Sequence, residues 1–236
     1  MNTVYPIKDP ETVNRILREL EQDKTWHGQR MYLLFATGVY TGLRVSDLVR
    51  LRVGNVQGEY IRLKEQKTGK QQSIYINRAL GAIFDARLKG MAPDAFIFAS
   101  RKRDTNGEQK PITTRAAAYD MQLIKRRFGI TDPFACHSMR KTFGYRMYNG
   151  GQGATLEELR QMFNHSKEAV TRRYIGVDEE LRNKHVKKLE FGGYMPQNSP
   201  QRARRRDAHG GEALETSWRH SDQHGQGPDK EPDKGQ

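Results

Sequence analysis

The stretch that decides the fold begins Thr41-Gly42-Leu43-Arg44-Val45-Ser46-Asp47-Leu48, continues through Tyr60-Ile61-Arg62-Leu63-Lys64, and ends at Lys67-Thr68-Gly69-Lys70 and Ser73-Ile74-Tyr75-Ile76. Its first part reads as a glycine turn, with a helix starting near Val45. Its second part reads as two strands of alternating character joined by a connector containing glycine, which is the signature of a β-hairpin with a basic tip. The rest of the chain is patterned at helical period. The fold class is therefore mainly α with a small antiparallel β-sheet (α+β).

Working outward, Asp9 as N-cap and Pro10 at the first helical position open a helix whose apolar face is Val13, Ile16, Leu17 and Leu20, spaced i, i+3, i+4, i+7. A second helix is predicted from about His27 to Gly38. Beyond the hairpin, helices are predicted at 78–89, 113–128, 137–149, 155–163, 167–175 and 178–189, with Gly150-Gly151 stopping the third of these. Trp26 and the run Phe96-Ile97-Phe98 are assigned to the core. The expected shape is a helical domain interrupted by one small sheet. No repeat of solenoid length is present.

The 236 residues carry a formal net charge of +13. Residues 196–236 hold seven bases and seven acids, so the whole excess lies on residues 1–195. That tail has five apolar residues and nine Gly or Pro, too few apolar groups to offset its ordering entropy. The domain organisation is thus a folded unit over 1–195 and a disordered polar tail over 196–236. A strongly basic body points to a polyanion, nucleic acid above all, because neutralising phosphates releases counterions. No apolar run reaches the roughly 18 residues of a membrane span, and the N-terminus lacks the basic and apolar regions of a secretory signal. The expectation is a cytoplasmic, nucleoid-associated protein with no membrane partner. The single cysteine, Cys136, has no intramolecular disulfide partner. Its neighbour His137 does not form a paired metal-ligand spacing with it.

Five pieces carry chemistry. Arg44 lies just past a glycine turn at the mouth of a helix, with Asp47 placed to reach its guanidinium, which makes a fixed bidentate anion clamp. His137 and Arg140 are three apart on a helix and share a face. Lys67 sits at the hairpin tip. His165 precedes an amphipathic helix, and Tyr174 follows nine residues later. Two arginines, two histidines, a lysine and a tyrosine, without a carboxylate pair or Cys/His cluster, form the set that metal-free phosphoryl transfer requires. A tyrosine with its ordinary pKa of about 10 needs a neighbouring base or a positive field to act as a nucleophile. The histidines supply the first and the arginines the second.

These segments resemble the boxes of the tyrosine recombinases, the lambda-integrase-type phage integrase family, over about residues 6–190. The family pattern has an arginine in a T-G-L-R-x-[SE]-[ED]-L segment, a lysine at a hairpin turn, H-x-x-R, a histidine in G-H-S and a tyrosine nine residues on. Here these are Arg44, Lys67, His137 with Arg140, His165 and Tyr174, in that order. Tyr145, Tyr148 and Tyr194 lack the spacing. The resemblance implies that Tyr174 attacks the scissile phosphate to form a 3′-phosphotyrosyl link and that Lys67 is the general acid for the leaving 5′-oxygen. It further implies that Arg44 and Arg140 clamp the non-bridging oxygens, that His137 and His165 bond the phosphate and handle the tyrosine proton, and that Asp47 braces Arg44. No metal, ATP or other cofactor is expected. The implied partners are double-stranded DNA as two duplexes, three further copies of the chain in a tetrameric synaptic complex formed by a protein monomeric off DNA, and accessory DNA-bending or directionality proteins.

Two departures from the family pattern stand out. The residues before the second histidine are Phe163-Asn164 rather than Leu-Gly, although Asn tolerates the left-handed backbone that Gly supplies. Only 43 residues precede Arg44, where larger members carry a DNA-clamping domain. The chain reads as a catalytic domain standing alone, as in short recombinases of the fimbrial-inversion kind, or as a trimmed part of a longer one. The implied activity is that of an integrase or invertase. The alternatives are a non-cutting DNA-binding accessory factor on the same scaffold and a type IB topoisomerase-like enzyme.

Overall fold

The computed structural model describes residues 4–151 and 153–188. The tail assigned to 196–236, and Leu189 of the last predicted helix, lie outside the described residues. Two helices open the domain, α1 (Pro10–Gln22) and α2 (Trp26–Thr41), followed by one turn of helix, α3 (Val45–Leu48). A sheet of three short strands comes next, β1 (Val56–Gln57), β2 (Tyr60–Lys64) and β3 (Gln71–Tyr75), antiparallel in the order β1-β2-β3. Then follow α4 (Arg78–Leu88), the hairpin β4 (Ala99–Arg103) and β5 (Gln109–Pro111), α5 (Thr114–Arg127), α6 (Cys136–Asn149), α7 (Leu156–Phe163), α8 (Glu168–Ile175) and α9 (Val177–Val186).

Local chemistry accounts for the helix ends. Asp9 accepts the backbone N–H groups of Glu11 and Thr12, Asn77 accepts that of Leu80, and Thr113 that of Ala116, each satisfying donors the first turn leaves open. Thr155 and Glu158 cap α7 reciprocally. α2 ends on Gly42 at φ 64°, and a side chain there would collide with the Phe143 ring. Only glycine meets both demands.

The larger core is built on α2, whose Leu34, Phe35 and Ala36 are fully buried, together with Ile16 and Leu20 of α1, Leu80 of α4 and Met121 and Ile124 of α5. A smaller apolar cluster joins Leu156, Leu159 and Phe163 of α7 to Ile175 of α8, with Phe143, Met147 and Tyr174 against it. It is this second cluster that carries the site.

The structure corrects three expectations about the fold. There are two small sheets rather than one among the described residues, because the charged residues of β4 and β5 hide a hairpin behind no apolar alternation. Its turn is nonetheless typical, with Asp104 accepting the N–H groups of Asn106 and Glu108 and Gly107 at φ 77°. Trp26 is not core: it is 43% exposed, with the guanidinium groups of Arg30 and Arg101 at 4.7 and 4.3 Å from its ring, a cation–π arrangement that stands in for apolar neighbours. Of the run 96–98, Ile97 and Phe98 are buried, whereas Phe96 is only partly so and lies under the Arg52 guanidinium at 3.9 Å.

Candidate active site

Four segments far apart in sequence meet at the smaller cluster: the α2–α3 corner, the β2–β3 turn, the first turns of α6, and the α7–α8 turn with α8. Leu43 is buried, and Arg44 turns its guanidinium inward, donating from Nη2 to the carbonyl of Phe163 at 3.1 Å. Arg140, only 4% exposed, donates to that same carbonyl at 3.2 Å and to the carbonyl of Gly42 at 2.5 Å. It also stacks 4.3 Å from the Phe163 ring. One backbone oxygen thus gathers two guanidinium groups from residues 96 positions apart in the sequence, and each guanidinium keeps further donors for an anion.

Tyr174 stands beside them. Its hydroxyl is 3.5 Å from Nδ1 of His137, and its ring meets those of His165 and Phe163 edge-on at 5.2 and 5.6 Å. The Lys141 ammonium, anchored on the carbonyl of Val4 at 2.8 Å, lies 5.0 Å from the same ring. Burial raises the phenol above its ordinary pKa, while the charges of Arg140 and Arg44 pull it back down. Desolvation disfavours the phenolate, and the two arginines offset part of that cost.

His165 follows Asn164, which caps α7 at φ 52° and ψ 43°. Asn164 is the one non-glycine residue with positive φ among the described residues, so the left-handed turn expected there is present. Nδ1 of His165 is 2.9 Å from the hydroxyl of Thr171, itself fully buried. Loss of solvent pushes the His165 imidazole down to about 4, helped by the charges of Arg140, Arg44 and Lys67. His137 is lowered as well, by desolvation first and then by Arg140, Lys141, Arg44 and Lys67. Both imidazoles are therefore held toward the neutral form, able to accept one proton and donate another. Lys67 is itself exposed at the turn, near enough for its charge to act on both histidines. Beside Arg140 and Phe163 opens a cleft of about 790 Å³ whose walls include Lys70, Gln72 and Arg146.

The brace expected of Asp47 belongs to Glu65. Glu65 is 2% exposed and accepts from Nη1 of Arg44 at 2.6 Å. Asp47, equally buried, instead accepts the backbone N–H of Gln66 at 2.8 Å through Oδ1, and no hydrogen bond reaches its Oδ2. The corner at Gly42 turns Arg44 toward β2, and so away from its own short helix. Glu65 was detectable in the sequence. It continues the inward alternation of Ile61 and Leu63, and a carboxylate at an inward strand position requires a cation. Phe163, Thr171 and Lys141 gave no comparable local signal.

Known proteins resemble this chain in sequence and in fold. The phage integrase family model matches residues 8–180. A probable integrase/recombinase of Bacillus subtilis, YoeC, is 31% identical over 194 residues, covering 82% of this chain and 99% of its own. The tyrosine recombinase XerC of Staphylococcus saprophyticus is 28% identical, over 62% of this chain and 49% of its own. The chain spans essentially the whole of the former and about half of the latter. Among solved structures, the XerA recombinase superposes with a TM-score of 0.58 at 21% identity, covering 79% of this chain and 66% of that one. The XerH recombinase bound to palindromic difH gives 0.60 at 16% identity, covering 78% and 53%. These two likenesses are of fold.

Proposed function

The chain belongs to the phage integrase family of tyrosine-type, DNA strand-breaking and rejoining enzymes, and from that premise we propose that it recombines duplex DNA at a specific site through a covalent link to Tyr174. The observation that carries this reading is the convergence of Arg44 and Arg140 on one carbonyl beside the Tyr174 hydroxyl.

In the proposed reaction the scissile phosphate sits against the free donors of Arg44 and Arg140, which neutralise its non-bridging oxygens as charge builds on them. The Tyr174 oxygen attacks phosphorus and its proton passes to His137, 3.5 Å away. His165, its ring set by Thr171, bonds a non-bridging oxygen. The bond from phosphorus to the 5′-oxygen breaks, and Lys67 gives that oxygen a proton, leaving a 3′-phosphotyrosine and a free 5′-hydroxyl. Rejoining is the reverse. A 5′-hydroxyl from another strand attacks, Lys67 takes its proton back, and His137 returns one to the departing phenolate. One phosphodiester is exchanged for another at each step, so neither ATP nor a metal enters the balance. Four copies acting on two duplexes would complete the exchange within the cell. α9 directly follows the nucleophile and exposes Leu181 and Val186, an apolar surface suited to docking on a neighbouring copy. The non-cutting alternative has no use for a tyrosine held between two arginines and a histidine.

The test is covalent capture. The protein is mixed with a randomised duplex library bearing a central nick, denatured in detergent, and the protein-linked DNA is sequenced. Adducts enriched for one site and abolished by Tyr174→Phe, with DNA binding kept, are the expected result. Adducts undiminished in that variant would overturn the assignment.

A further inference from the structure

Glu65 does more than pair with Arg44. Its carboxylate also accepts from the hydroxyl of Thr68, from Nε2 of Gln72 at 2.7 Å and from Nδ2 of Asn164 at 3.3 Å. Its backbone closes the same turn, donating N–H to the carbonyl of Lys70 and accepting the N–H of Gly69, both at 2.9 Å. On the N-terminal side of Lys67, opposite Thr68, Gln66 is tied by its N–H to Asp47. Lys67, exposed and with four rotatable bonds, therefore stands between two residues each fastened to a buried acid.

We propose that Glu65 and Asn164 are positioning residues for Lys67. A single buried carboxylate sets the hairpin turn against the Arg44 clamp, and Asn164 ties that carboxylate to the turn that carries His165. The inference rests on the reading of Lys67 as the acid for the leaving oxygen. The role of Asn164 follows from what its backbone does not require. Glycine adopts φ 52° and ψ 43° at no steric cost, so conformation alone gives no reason for a side chain at this position. The side chain present reaches 99 residues back to Glu65. Three parts of the site thereby share one pair of oxygens: the phosphate clamp, the proton donor's turn and the histidine's turn. A carboxylate so enclosed is nearly immobile, because moving it breaks several charge-assisted bonds together.

The experiment compares the wild type, Asn164→Gly and Lys67→Ala on two nicked duplexes of the captured sequence. One is ordinary, and the other has sulfur in place of the bridging 5′-oxygen. A thiolate leaves without a proton, so the sulfur duplex bypasses the general acid. A general acid is worth about 10²–10⁴ in rate, and loosening its placement is expected to forfeit about 10-fold of that. Asn164→Gly should thus slow adduct formation about 10-fold on the oxygen duplex and stay within about 2-fold of wild type on sulfur, a weaker copy of the Lys67→Ala pattern. Wild-type rates on oxygen, or equal losses on both duplexes, overturn the proposal. Hydrogen exchange of the free protein adds a readout that does not depend on DNA. Asn164→Gly should speed exchange of the amides from 65 to 72 and leave α2 and α5 unchanged, and an unaltered hairpin would overturn the proposal. Absence of any wild-type adduct alongside the expected exchange change would instead sink the Tyr174 reading.

Discussion

Replacing Arg44 by methionine tests whether the site is held by a buried ion pair. The Glu65 side chain is 1% exposed and that of Arg44 16%, so removing the cation leaves a carboxylate that water cannot reach. Breaking one side of a buried pair costs about 3–5 kcal/mol. Three considerations place Arg44→Met near the lower end. Thr68, Gln72 and Asn164 still donate to Glu65, the Phe163 carbonyl keeps its bond from Arg140, and methionine fills most of the volume of the arginine stem. A loss of about 3 kcal/mol in a domain of this size lowers the melting temperature by roughly 6–12 °C. Adding Glu65→Gln removes the stranded charge and should return about half of the loss, a coupling of the size found between contacting residues. Urea unfolding followed by circular dichroism, on both single variants and the double, measures all the terms. If Arg44→Met unfolds within about 1 kcal/mol of wild type, or the double variant is no more stable than Arg44→Met, the pair is not the fastening described.

Two further outcomes follow from the packing and the electrostatics. Gly144→Ala would ordinarily gain up to about 1 kcal/mol in a helix, but here the added carbon would sit 2.8 Å from both Ile175 and the Phe163 ring. Overpacking at about 1–3 kcal/mol should win, so the variant is expected to melt below wild type with slower adduct formation from a displaced Tyr174, and a raised melting temperature would contradict that. His165 titrates near 4 in the folded chain against 6.5 unfolded. Between those values the unfolded state binds a proton that the folded state refuses, so this residue's contribution to stability falls as pH drops through that window. Thermal melts from pH 7.5 to 5 should show a shallower decline for His165→Gln than for wild type, and parallel declines would remove His165 from the account.

Much of the site was legible because its chemistry is carried in short segments. A glycine before an arginine, a basic residue at a hairpin turn, a histidine and an arginine three apart, and a histidine nine residues before a tyrosine are each local patterns, and local patterns fix which face or turn a residue occupies. The left-handed turn at Asn164 was readable for the same reason. The β4–β5 hairpin was not read, since its strands are charged and its only local mark is the Asp104–Gly107 turn. Trp26 was misplaced because composition assigns a tryptophan to the core, whereas two arginines, one on its own helix and one on β4, cover its ring at the surface.

The sequence by itself determined the helices, the main hairpin, the candidate reacting groups and the family the chain belongs to. All of these depend on residues within a turn or two of one another. Only the tertiary structure decided which acid holds Arg44. Asp47 is three residues away and Glu65 is 21, yet past the Gly42 corner the guanidinium meets the residue that follows β2. The tertiary structure also decided that two arginines share the Phe163 carbonyl and that Asn164 reaches Glu65. Such pairings depend on where distant segments come to rest around α7, and that is set by burying Phe163 and Ile175 together, which no spacing along the chain encodes.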